Sequence, residues 1–186
     1  MPGTFILLLI GEEFDCIVIS KCRLFTTSMM ERALYILIGP KGSGKTHIGS
    51  RIEKLTGIKF LRVEPLWLGL AEGEDGWDRV EREIDELFLQ HDVVIIESLG
   101  AGEGFNRMYA SLKDKYRVKL IKVQADLEEC LRRVRERDSA DYIPVSDDKV
   151  REYNRIAAKL KHPWDAVIDN NGPATDEEIL KVVACL

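Results

Sequence analysis

Four cysteines are all that the chain of 186 residues carries. None of Cys16, Cys22, Cys130 and Cys185 stands in a C-x-x-C pair or at Cys/His metal spacing, which removes thiol-redox and zinc-knuckle chemistry from consideration. Cys130 and Cys185 read as small apolar residues on helix faces, and a reducing, cytoplasmic setting is expected. No apolar run reaches the length needed to cross a bilayer. Phe5 to Ile10 is apolar, but no basic stretch precedes it and Glu12-Glu13 follow, so it makes a poor signal peptide. Positive charge is also short: the net charge of −5 argues against nucleic-acid binding driven by overall charge, though a local basic face is not excluded. There is no internal repeat and no low-complexity tract.

What is present is an apolar content of 45%, enough for one sizeable core. Short β-branched runs alternate with segments of helical periodicity. Leu34 to Ile38, Ile58 to Val63, Val93 to Ile96, Val118 to Val123 and Ala166 to Ile168 read as strands. Between them, helices are expected over His47 to Leu55, Trp77 to about Gln90, Phe105 to Tyr116, a segment carrying Leu127 to Val134, a Ser146-capped segment ended by Pro163, and a final one capped by Thr175 and Glu178. Asp126 with Glu129 reads as a further capping box, and Asp138 to Val145 as a polar loop. The alternation implies an α/β fold, a parallel sheet with helices on both faces. Residues 1–30 stand apart. They offer a hairpin of Phe5 to Ile10 with Ile17 to Ile19, and they either lie outside the natural protein or form a weakly packed appendage. A domain over 31–186 holds the rest.

One stretch organises that domain. Gly39-Pro-Lys-Gly-Ser-Gly-Lys-Thr46 follows a strand and opens a helix, the context that makes G-x-x-x-x-G-K-[ST] a phosphate-binding loop. Gly42 and Gly44 allow the backbone to turn several N–H groups toward one anion, and the helix start adds its own. Gly39, Lys41, Gly42, Ser43, Gly44, Lys45, Thr46 and His47 are therefore the expected nucleotide contacts. Lys45 would reach the β- and γ-phosphates and Thr46 would ligate Mg²⁺. Glu97, ending a buried strand, fits the second magnesium-side group, the alternative being a carboxylate facing solvent. Glu64 closes the Ile58 to Val63 run, where it would orient or deprotonate an acceptor hydroxyl; an ordinary surface glutamate is the rival reading.

Arg133 and Arg137, four apart, share one helix face beside the polar loop and read as lid arginines that meet transferred charge. Arg132 and Arg135 read instead as salt-bridged surface residues. Trp67 and Trp77 either line an acceptor pocket or join the core. No Asn-Lys-x-Asp motif is present for a guanine-reading switch.

Taken together, Gly39 to Thr46, Arg133-x-x-x-Arg137 and Asp169-Asn170-Asn171-Gly172 resemble the small P-loop kinases, which include nucleoside monophosphate, shikimate, gluconate and dephospho-coenzyme A kinases. The resemblance covers most of residues 33–186. It implies a three-layer P-loop NTPase fold with a five-stranded sheet of order 2-3-1-4-5 and a lid, here around 133–148. It implies ATP and Mg²⁺ as cofactors, a small-molecule acceptor, Lys45, Glu64, Arg133 and Arg137 as the catalytic set, and Asn170 to Pro173, Asn171 among them, beside the adenine. Likeness to shikimate kinase puts a substrate carboxylate at Glu64 and a substrate loop at Gly100 to Gly104. The Asp-Gly-x-Pro-Arg motif of adenylate kinases is missing. The expected activity is transfer of the γ-phosphoryl group of ATP to a hydroxyl or phosphate; the rival readings are an ATPase or nucleotide-dependent switch, and a nucleic-acid-end kinase. No feature speaks to oligomeric state.

Overall fold

A computed structural model describes residues 32–137 and 142–186, which belong to one compact unit, Glu31–Leu186. The hairpin expected within residues 1–30 lies outside them, as does part of the lid. Among the described residues the order is β1 Ala33–Ile38, α1 Lys45–Thr56, β2 Lys59–Leu61, α2 Val63–Leu68, α3 Gly76–Leu87, β3 Val93–Ser98, α4 Glu103–Lys115, β4 Arg117–Gln124, α5 Leu127–Glu136, α6 Asp147–Lys159, β5 Ala166–Asp169 and α7 Asp176–Ala184.

All strand pairings are parallel and the sheet order is β2-β3-β1-β4-β5. This is the expected order. β1 is central because every one of its six residues is apolar and can be buried on both faces. Its side chains alternate between two cores. Leu34, Ile36 and Ile38 pack with Val80, Ile84 and Phe88, from α3 and just beyond it, and with Phe105, Met108 and Leu112 of α4. Tyr35 and Leu37 face Ile48 and Ile52 of α1 and Ile179 of α7. Each of these large side chains contributes about 1.5–3 kcal/mol by leaving water. No helix among the described residues is long and apolar enough to cross a membrane.

Three local expectations are corrected. β2 stops at Leu61, and Val63–Leu68 is helical, so Glu64 sits in the first turn of α2 instead of at a strand tip. Pro65 is compatible with that turn, where the missing N–H has no intrahelical acceptor. Trp67, expected in a loop following Glu64-Pro65, lies on the same helix. Asp126 stands at the N-cap of α5 but its side chain makes no capping bond. Its expected partner Glu129 binds Arg132 and Arg133 instead, two guanidinium groups outcompeting one neutral N–H. The expected caps of α6 and α7 hold: Ser146 Oγ accepts from Lys149 N, and Thr175 and Glu178 form a capping box.

Candidate active site

The carboxyl ends of β1 and β3 bring Gly39 to Thr46 beside Glu97 and Ser98 at one rim of the sheet, with Leu37 opposite Glu97 in register. Gly42 and Gly44 have φ of 89° and 93°, which only glycine adopts cheaply. A side chain at Gly42 would also strike the backbone of Cys130, its Cβ falling 2.8 Å from Cys130 Cα. The loop is braced from β5's end by Asn170, expected beside the adenine: it is buried, donates through Nδ2 to the Ser43 carbonyl at 2.8 Å and accepts from Ala174 N at 2.9 Å. Its sequence signal is the Asp169-Asn170-Asn171-Gly172 run at the end of the last strand. Asn171, the expected nucleotide contact, accepts from Asp126 N at 2.6 Å and is not among the residues lining the cleft.

Lys45 Nζ donates to the carbonyls of Gly39 and Pro40 at 2.8 and 2.9 Å. Burial lowers the pKa of its ammonium, while the charges of Glu97 and Glu64 act in the other direction. Thr46 Oγ1 donates to Glu97 Oε2 at 2.6 Å. Glu97 is buried, and desolvation raises its pKa against the pull of Lys45 and the Thr46 bond. A hydroxyl and a carboxylate oxygen side by side are the hard donors Mg²⁺ takes when substrate phosphates complete its shell. The residues therefore fit Mg²⁺ bound together with a nucleoside triphosphate, with Thr46 and Glu97 as its protein side.

These groups line a cleft of about 430 Å³ that extends well past the loop. Lys41, His47, Glu64, Arg133 and Arg137 all border it, so the structure gathers every expected catalytic residue into one place. Lys41 forms an ion pair with Glu64 and donates to the Ile143 carbonyl at 3.0 Å. Arg133 pairs with Glu129 and donates to the carbonyls of Asn170, at 2.7 Å, and Ser43, at 3.4 Å, which aims its guanidinium at the loop. Arg137 lies over the Tyr142 ring, 4.2 Å from its centroid. Arg132 and Arg135 are spent on Glu129, Glu136 and Asp147 at the surface. The far wall is Val63, Trp67, Trp77, Leu99 and Ala101; Tyr153 of α6 also lines the cleft. The Ser98 to Gly104 loop of that wall is pinned: Gly100 N donates to Ser98 Oγ, and its carbonyl lies 2.9 Å from His162 Nε2.

No protein-family model matches the chain. It is similar to shikimate kinase of Histophilus somni (strain 2336), 29% identical over 171 residues that span 84% of this chain and 93% of that protein. Among solved structures it is similar to shikimate kinase from Acinetobacter baumannii in complex with shikimate, with a TM-score of 0.55 and 20% identity over 87% of this chain and 94% of that one. A gluconokinase from Sinorhizobium meliloti 1021 matches with a TM-score of 0.53 and 14% identity, covering 83% and 91% of the two chains. Loop, sheet order and relatives define a P-loop phosphotransferase fold. The chain is similar to small P-loop kinases, and no single member is picked out.

Proposed function

We propose that the protein is an ATP-dependent kinase that transfers the γ-phosphoryl group to a hydroxyl on a small molecule. The observation that carries this reading is a single cleft in which the phosphate loop faces a second compartment headed by Glu64. A switch or plain ATPase needs the loop but not the compartment.

In the proposed reaction Lys45 leaves the Gly39 and Pro40 carbonyls for phosphate oxygens, and Arg133 and Arg137 approach the same charge from the end of α5. Bound Mg²⁺ supplies further charge neutralisation at the phosphates. Glu64 orients the acceptor hydroxyl and takes its proton. Tyr142, Ile143 and Val145 border the opening beside Arg137, so closure of this segment excludes the water that competes as acceptor.

Titration calorimetry with Mg·ATP, and product analysis with and without hydroxyl acceptors, tests the reading. A binding heat and an acceptor-dependent phosphate ester are expected. Rapid hydrolysis that no acceptor redirects into ester would overturn it.

A further inference from the structure

The charges around the cleft are unevenly placed. Lys45 of the phosphate loop and Arg133 and Arg137 at the end of α5 lie on the nucleotide side, while Lys41 of the same loop reaches across to Glu64. Among the described residues, the far wall beyond Glu64 consists of Val63, Trp67, Trp77, Leu99 and Ala101, none of them charged. Glu64 itself is already matched by Lys41. An anionic acceptor would thus enter a compartment whose own charged group is a carboxylate. Arg62 does not line it; its guanidinium lies 5.3 Å from the centroid of the Tyr142 ring.

The aromatic part of this wall is rigidly seated. Trp67 and Trp77 meet edge to face, centroids 4.9 Å apart, and Trp77 leans on Phe105 at 5.7 Å. Both rings press onto backbone: a Cβ on Gly76 would come within 2.8 Å of the Trp67 ring, and one on Gly104 within 3.0 Å of Trp77 Nε1. The Trp67 indole N–H is buried there with no hydrogen-bond partner, so this ring offers the cleft carbon and not a donor. A polyhydroxylated acceptor would lose water against these carbon faces without finding partners there. A flat ring loses nothing of the kind and gains stacking or edge contact.

We infer that the acceptor is an uncharged alcohol carried on a flat, unsaturated ring, the ring against Trp67 and Trp77 and the hydroxyl at Glu64; this rests on the kinase reading above. The acceptor oxygen forms the new bond to the γ-phosphorus. The bond from that phosphorus to the β–γ bridging oxygen breaks, its electron pair leaves with ADP, and the hydroxyl proton passes to the Glu64 carboxylate.

The test supplies the full chain with Mg·ATP and, at equal concentrations, 2-phenylethanol, indole-3-ethanol, uridine, shikimate or gluconate, and follows phosphate ester by phosphorus NMR. At least one of the three ring alcohols is expected to exceed both acids in kcat/KM by roughly tenfold or more, equivalent to about 1.4 kcal/mol. Trp67→Ala should raise KM for that alcohol roughly tenfold with Mg·ATP affinity unchanged, and Trp67→Phe should restore most of the loss. Quenching of tryptophan emission by the same alcohol, without nucleotide, reads the contact independently of turnover. Faster ester formation on shikimate or gluconate overturns the acceptor class and leaves the kinase reading standing. Free hydrolysis with no ester from any of the five compounds overturns both.

Discussion

Lys45, which lines the cleft, is kept at a cost to folding. Its ammonium is desolvated and, among the described residues, hydrogen-bonds two carbonyls of its own loop, with Glu97 and Glu64 supplying long-range attraction. Replacing it removes a charge that burial penalises and leaves no cavity in either apolar core. Lys45→Met should therefore melt at the same temperature as the native chain or slightly higher, while kcat falls at least ~100-fold, the scale for losing one preorganised transition-state charge. Differential scanning calorimetry and single-turnover assays check the two halves. Glu129 makes the opposite case. It is a surface carboxylate whose pKa the Arg132 hydrogen bonds, with the nearby Arg133 charge, pull from 4.5 to about 2. A pKa depressed by folding means stability that is complete above about pH 4.5 and drains away as pH falls toward 2. In Glu129→Gln that part of the acid-unfolding slope should flatten, which urea titrations at stepped pH would show. The same variant frees Arg133 from its ion pair, so KM for ATP should rise even at pH 7.

At the scale of elements, the helices divide into those that carry the site and those that support it. α1, α2 and α5 present Thr46, Glu64 and Arg133 to the cleft, whereas α7 closes the opposite core through Ile179 and is held by the reciprocal Thr175–Glu178 cap. Thr175→Ala should cost about 1 kcal/mol of stability, measured by chemical denaturation, and leave kcat/KM alone because no residue of α7 borders the cleft. The Asp126 result belongs here as well. A capping box is a local pattern, but two nearby arginines recruit Glu129, and that competition is settled only once α5 has its neighbours.

Across the whole molecule, β1 sits at the centre of the sheet with β3 and β4 on its two sides, and both cores are filled from within Glu31–Leu186. We therefore propose that residues 31–186 are the folding unit. A chain trimmed to them should melt within a few degrees of the full chain and bind Mg·ATP with unchanged affinity; a collapse of either would show that residues 1–30 are needed.

The strands, the helix order and the phosphate loop were legible in the amino-acid sequence because each rests on short-range physics: β-branched runs that resist helix, helical spacing of apolar residues, and glycines at positions where any Cβ would clash or force a costly φ. The sheet order came from resemblance to a family, not from the residues themselves. Glu64 borders the cleft, but in a helical turn instead of at a strand tip, since Pro65 excludes a central strand without saying whether a turn or a first helical turn replaces it. What only the tertiary structure decided is which side chains meet. Asn170 rather than Asn171 braces the loop, Lys41 pairs with a carboxylate 23 residues away, and two tryptophans become a wall because two glycines let them approach. Such contacts join residues far apart in the chain, and no local pattern records them.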